Sequence, residues 1–374
     1  MTPPGPGDLA ALAPTPEWAE ALRAAPRRLF VPDIAWTVDD GLLDRNADPQ
    51  TWQAAVDGDG AILTQIDDGE TTLTATSPWT ARDWTSSCSA PAMVLDFLNL
   101  LDPYDGDQVL EIGTGTGWTA GVLSARLGAD RVTSVEVDER VAAQARANLE
   151  RAGLAPRLVV GEGAAGWPAS APYDRVHVTC GVREVPYAWV EQTRPGGVIV
   201  LPWTPNGIGN GPKARLTVTG DRAVGRFPGG EAAYMLLRAQ RPRRPPIRGQ
   251  VRESTARVDP RRLTRAGRGL SVALAGMLPG VYVGGGDRSD GSHAVVLREL
   301  SGPSHAIATR PVEGGEAAVE QQGPRNLWDQ AETAYLTWVG WGEPGVERFG
   351  LTVAPQGQHA WLDTPDNRIP ELEN

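Results

Sequence analysis

Residues 107–163 read DQVLEIGTGTGWTAGVLSARLGADRVTSVEVDERVAAQARANLERAGLAPRLVVGEG, and this stretch decides the fold. Val109-Leu110-Glu111-Ile112 is a short apolar run of the kind that forms a buried parallel strand. Gly113, Gly115 and Gly117 follow at once, with Thr114 between the first two, where the backbone must turn sharply and let a ligand approach. The spacing then predicts a helix from Trp118, with Val122, Leu123 and Leu127 on one face. A second strand over Arg131–Val137 ends on Glu136, and a third precedes the acidic turn Gly161-Glu162-Gly163. Strand, glycine loop, helix, strand, helix, strand opens a doubly wound, Rossmann-like α/β domain.

The acids of this stretch choose among cofactors. The loop is GxGxG, not the GxGxxG of dinucleotide binding. Glu111 would repel a pyrophosphate but favours the α-ammonium group of S-adenosylmethionine (SAM). Glu136, with Val137 beside it, suits hydrogen bonds from two ribose hydroxyls, and Glu162 suits an adenine amino group. Trp118 opens the helix on the ligand side. The expected cofactor is therefore SAM, held by these residues and the glycines around them.

From Glu17 to Arg238 the chain resembles protein-L-isoaspartate O-methyltransferases. Residues 25–32 (APRRLFVP) are similar to the family's APRxxFVP, and residues 87–91 (SCSAP) stand where it has TxSxP. Residues 109–118 match VLEIGTGSGY, 171–180 (APYDRVHVTC) are close to APFDRIIVTA, and 192–197 (QTRPGG) match QLKPGG. The resemblance implies a class I SAM methyltransferase fold and carboxyl methylation of a peptide. It further implies that Ser89 contacts the acceptor carboxylate, with Ser87 aligned to the family threonine. Four departures stand out: Glu162 replaces an aspartate, Trp118 replaces a tyrosine, about 20 residues intervene between Ala61 and Ser86, and over 100 follow the catalytic domain. The long form is similar to variants that act in maturation of ribosomally made peptides (lasso peptides, lanthipeptides, graspetides). Such variants methylate a normal Asp of a constrained peptide, and the ester closes to aspartimide or isoaspartate. The alternative acceptor is isoaspartate in damaged protein.

Composition bounds the rest. With 374 residues there is room for two domains, and 41% hydrophobic with 22% charged residues is ordinary for a globular chain. A net charge of −11 argues against nucleic acid as partner and favours a cationic or neutral one. Cys88 and Cys180 make no disulfide framework, and no metal-ligand spacing is present. Neither a signal peptide nor a membrane span is legible, so the expected location is cytoplasmic.

The expected organisation is a flexible tail over 1–15, a catalytic domain over 16–240, a Pro/Arg-rich linker over 241–260, and a C-terminal α+β domain over 261–374 that packs as an accessory or recruits peptide. Residues 61–76 read as a hairpin turning at Asp67-Asp68-Gly69, and Leu270–Leu278 and Tyr234–Arg238 as strands. A helix is expected over Pro91–Leu101 with Ser89 as its N-cap, which also makes its start an anion site. A fourth strand over Asp174–Thr179 brings Thr179 and Cys180 beside the crevice as substrate contacts, while His177 lies within the strand as a structural residue. No His–Asp or Lys base is evident, and methylation of an already ionised carboxylate requires none.

Overall fold

The computed structural model describes residues 9–207, 210–243 and 245–372. The chain divides into two compact units: one runs to Cys180 and takes in Ala188–Leu201, and the other holds Gly181–Tyr187 and the chain from Pro202 onward.

The first unit opens with α1 (Pro16–Ala24), started by Pro16 and burying Trp18, Ala21 and Leu22 at helical spacing. β1 (Ile34–Thr37), β2 (Gly41–Asp44), α2 (Pro49–Asp57), β3 (Ile62–Ile66), the single turn α3 (Ser77–Thr80) and β4 (Trp84–Cys88) follow. The strands form a four-stranded antiparallel sheet, β2-β1-β3-β4. α4 (Pro91–Leu101) packs on the second sheet and buries Val94, Phe97, Leu98 and Leu101, each contributing about 1.5–3 kcal/mol by leaving water.

The second sheet is the doubly wound one. β5 (Val109–Ile112), α5 (Trp118–Leu127), β6 (Val132–Glu136), α6 (Glu139–Arg151), β7 (Arg157–Val160), β8 (Tyr173–Val178), α7 (Tyr187–Glu191) and β9 (Thr193–Pro202) succeed one another. Within this unit the strand order is β9-β8-β5-β6-β7, all parallel. The order reverses between β5 and β8, and ligands of such sheets sit at the carboxyl ends of the strands flanking that point.

The second unit holds β10 (Gly211–Val218), β11 (Ala223–Arg226), β12 (Glu231–Ala232), β13 (Arg252–Thr255), α8 (Arg261–Arg265), α9 (Arg268–Met277), β14 (Val281–Asp287), β15 (His293–Glu299), β16 (His305–Arg310), β17 (Ala318–Gln322), α10 (Leu327–Gly340), β18 (Phe349–Ala354) and β19 (Gly357–Leu362). β18 and β19 form a closing hairpin, and β18 pairs in turn with β11. A separate antiparallel sheet runs β13-β17-β16-β15-β14.

Several expectations are corrected. Residues 202–240, read as catalytic, fall in the second unit, where β11 pairs with β18. The 241–260 linker is partly a strand, since β13 pairs with β17, and Arg298 donates to Pro245 O within the Pro-rich stretch. Residues 9–12 of the supposed tail form a 3₁₀ turn with Ala10 buried, while residues 1–8 lie outside the described residues. The 61–76 hairpin does not form. Buried Asp67 accepts hydrogen bonds from the Arg82 and Asp83 N–H groups and from Thr71, drawing β4 rather than residues 70–76 alongside β3. Leu270–Leu278 is helical: an apolar run this short has no periodicity to separate a buried strand from a buried helix. Tyr234–Arg238 makes only a bridge, through Gly181 to Leu236.

Candidate active site

The glycine loop between β5 and α5 needs its glycines. Gly113, Gly115 and Gly117 have φ of +95°, +54° and +87°, the left-handed region that side chains disfavour. A Cβ on Gly113 would stand 2.6 Å from Thr179 Oγ1, and one on Gly117 would stand 3.2 Å from the Ala145 Cβ. The Gly115 N–H donates to Glu136 Oε2 at 2.9 Å, and Glu136 Oε1 accepts from the Asp138 N–H at 3.1 Å. The acid at the end of β6 is thus fixed against the loop. Asp138 caps α6 by accepting from the Arg140 and Val141 N–H groups.

Glu111 lies deeper than its place in the sequence suggests. It is fully buried, in register with Ser134 of β6 and His177 of β8. Ser134 donates to Glu111 Oε2 at 2.5 Å and is 2.6 Å from Thr114 Oγ1, while Glu111 Oε1 has no partner. Burial, offset in part by the Ser134 hydrogen bond, pushes this acid up to about 8. Before a cation arrives, Glu111 is therefore mostly a neutral acid at pH 7, a correction to its reading as a ready carboxylate. Its open oxygen two residues before the loop is an acceptor that an ammonium group would satisfy. His177 is equally buried, packs edge-on to Phe97 with centroids 6.2 Å apart, and has neither ring nitrogen bonded. Burial holds it down to about 4, so it stays neutral.

Around the crevice, Thr179 Oγ1 reaches Ile112 O at 3.0 Å and also Gly113 O, which makes Thr179 a brace of the loop. Burial, and then the charges of Glu136 and Glu162, push the Cys180 thiol far up, so it is an inert neutral group within electrostatic reach of both acids. The Gly161 N–H donates to Glu136 O, Gly163 O accepts from Trp189 Nε1, and Glu162 between them is exposed. Val137 is half-buried in the turn after β6. The Trp118 indole is committed elsewhere, donating to Ala25 O at 3.0 Å.

The strand before α4 abuts the loop: a Cβ on Gly115 would stand 3.4 Å from Ser87 O. Ser86 is buried and accepts from Thr64, whereas Ser87 and Ser89 are half-buried. Ser89 is not the N-cap of α4. Ala90 holds that position, and the Asp59 carboxylate accepts from the Ala92 N–H at 2.7 Å. The Ser89 hydroxyl is left without a hydrogen bond, and the anion position at the start of α4 is taken by the chain's own Asp59.

Sequence reasoning assigned no role to Arg27. Its buried guanidinium donates to the carbonyls of Val56, Gly58, Gly60, Cys88 and Ser89 and lies 5.3 Å from the Trp118 ring centroid. It holds the Ser87–Ser89 strand end in place. The signal was visible in the APRRLFVP segment, but its partners lie 29 to 62 residues away. Gln192 ties the 161–167 turn in the same manner, through Ala165 O and the Trp167 N–H. Among the described residues no cluster of three or more His, Cys, Asp or Glu could hold a metal, and no helix is long and apolar enough to cross a membrane.

Part of the chain matches known proteins. Residues 74–211 match the family model for protein-L-isoaspartate(D-aspartate) O-methyltransferase (PCMT). The chain is 45% identical over 116 residues to the protein-L-isoaspartate O-methyltransferase of Thermococcus onnurineus and 44% identical over 117 residues to that of Methanopyrus kandleri. Each match covers 30% of this chain and 52% of the relative, so the chain spans about half the length of the curated relatives it matches. A solved structure described as a protein-L-isoaspartate O-methyltransferase shares the fold over 94% of this chain and 96% of its own, with a TM-score of 0.54 at 22% identity. The length beyond the catalytic domain therefore does not by itself set this chain apart from proteins of that name. The first unit has the class I SAM methyltransferase fold, and residues 74–211 within it and just beyond carry the protein-L-isoaspartate O-methyltransferase family pattern.

Proposed function

We propose that the protein is a SAM-dependent carboxyl O-methyltransferase acting on isoaspartyl residues of peptides or proteins. The observation that carries this reading is the contact of Ser87 with Gly115, which sets the strand of the acceptor motif against the cofactor loop. The donor set fits SAM: three left-handed glycines, the fixed carboxylate of Glu136, and the open oxygen of Glu111. When bound, SAM supplies an electrophilic methyl group. The chain's own work is binding and exclusion of water. Glu136 would accept from ribose hydroxyls, Glu111 would hold the ammonium group at its open oxygen, and Glu162 would meet the adenine. The free Ser89 hydroxyl donates to the acceptor carboxylate, with Arg27 fixing its backbone. An isoaspartyl carboxylate, with a pKa near 4, is ionised at pH 7, which agrees with a site lacking a general base.

A second reading rests on one feature. The segment between Ala61 and Ser86 builds surface beside Ser87, including Trp79 at 63% exposure, that a short linear acceptor does not require. It favours a larger acceptor, such as a constrained ribosomally made peptide whose normal Asp is methylated and then cyclises to aspartimide. Mass spectrometry of a linear isoaspartyl peptide and a crosslinked Asp peptide, each incubated with SAM, separates the two. One added methyl on the linear peptide supports the first reading. Methylation of the crosslinked peptide alone, followed by loss of methanol, replaces it with the second, and no transfer to either refutes both.

A further inference from the structure

The antiparallel sheet carries an aromatic face that methyl transfer leaves unused. Trp36 pairs with Leu42 on one side and Leu63 on the other, and Leu63 pairs with Ser87. Directly opposed residues share a face, so one row runs Leu42, Trp36, Leu63, Ser87. Trp79 and Trp84 pack edge-on against Trp36, with centroids 5.0 and 5.6 Å away. Trp36 is buried with its Nε1–H unpartnered, while Trp79, Leu42 and Trp84 are 63%, 39% and 37% exposed. The row thus starts at exposed apolar surface and ends on the strand that abuts the cofactor loop.

The charge around this face is lopsided. From Asp33 to Asp83 the chain carries eleven acidic residues and two arginines, a net of −9 out of −11 for the whole sequence. Both arginines are already paired, Arg45 with Asp33 and Arg82 with Glu70 and Asp67. Asp39 lies in the turn after β1 and Asp83 directly precedes Trp84; both are exposed. A bare carboxylate acceptor approaching this lobe meets net repulsion, and a basic flank reverses the sign. Exposed indoles among carboxylates attract ammonium and guanidinium groups through the ring faces as well as by charge.

We propose that the Trp36–Trp79–Trp84 face docks a Lys- or Arg-bearing stretch of the substrate peptide, adjoining the carboxyl group presented at Ser87 and Ser89. This rests on the carboxyl-methyltransferase reading of the site, and the test separates the two. Binding of a dye-labelled oligolysine peptide is followed by anisotropy at low and high salt. Methylation is followed on one linear isoaspartyl peptide with and without an oligolysine tail. The tail should lower KM by about tenfold at low salt, and high salt should erase the gain. Trp79→Ser should weaken oligolysine binding by about fivefold, and the Asp39→Asn/Asp83→Asn double variant by a similar factor. Glu150→Gln, an exposed carboxylate on α6, should change neither. Oligolysine binding that depends on Trp79, without methylation of either peptide, keeps the docking face and overturns the methyltransferase reading for this acceptor. Equal KM for both peptides, or oligolysine binding unchanged in Trp79→Ser and in the double variant, overturns the docking face.

Discussion

Two buried carboxylates, one in each unit, mark opposite uses of the same chemistry. Glu332 on α10 is 1% exposed, and its oxygens accept from the Arg257 and Val258 N–H groups, Trp328 Nε1 and Arg257 Nε, all at 2.6–2.9 Å. Glu111 on β5 is 0% exposed with a single donor, Ser134, and one open oxygen. Fixed donors around a buried charge belong to a group whose work is to hold the fold. A buried acid left short of donors costs stability and signals that a ligand supplies the missing partner. Burial alone would have ranked the two as equals.

The largest expected effect breaks the structural member of the pair. Glu332→Leu strands two backbone N–H groups, an indole N–H and an arginine. It should lower the unfolding free energy by about 3–5 kcal/mol, read from the urea midpoint at unchanged slope. A loss below about 1 kcal/mol would put Glu332 on a par with a surface acid. On the ligand side, Glu136→Gln keeps the shape but removes the charge facing Gly115. Titration with S-adenosylhomocysteine should show roughly 10- to 100-fold weaker binding, about 1.4–2.8 kcal/mol. Unchanged affinity would remove Glu136 from the cofactor site.

The third effect is the sharpest, because its size changes with pH. Glu111 has its folded pKa raised to about 8 from an ordinary value of 4.5. Between those values the folded state keeps a proton that the unfolded state releases, so stability is full below about pH 4.5 and declines as pH rises through 8. Glu111→Gln mimics the protonated acid at every pH. It should match the parent near pH 4.5 and exceed it at pH 8 by on the order of 4 kcal/mol, measured by denaturation without cofactor. The same variant should bind S-adenosylhomocysteine more weakly, since it offers no charge to the ammonium group. A constant stability offset at both pH values would contradict the pH-linked account of Glu111.

What the sequence revealed follows from range. The β5–loop–α5 unit, Glu136 and the Pro91–Leu101 helix are set by residues within a few positions of one another, and they stand where the pattern put them. Asp67 turned a plausible hairpin into a different pairing through contacts 15 and 16 residues on. Asp59 displaced Ser89 as the partner of α4 from 33 residues away. α9 escaped because Leu270 to Met277 is apolar nearly all round, which leaves neither period 2 nor 3.6 to read. The open oxygen of Glu111 was invisible for the same reason, since a sequence lists acids but not their donors.

Arg27 bears on where this protein can be cut. The family match begins at residue 74, yet the carbonyls of Val56, Gly58, Gly60, Cys88 and Ser89 all converge on a side chain 47 residues upstream of that point. A recombinant fragment trimmed to the matched segment would keep the glycine loop and both serines but lose the cation that anchors Cys88 and Ser89, along with Ala25, the acceptor of the Trp118 indole. Its boundaries would look complete by homology and be incomplete by architecture. The smallest fragment worth expressing therefore starts ahead of Ala25, and inactivity in one cut beyond Arg27 would reflect the missing anchor rather than the chemistry of the site.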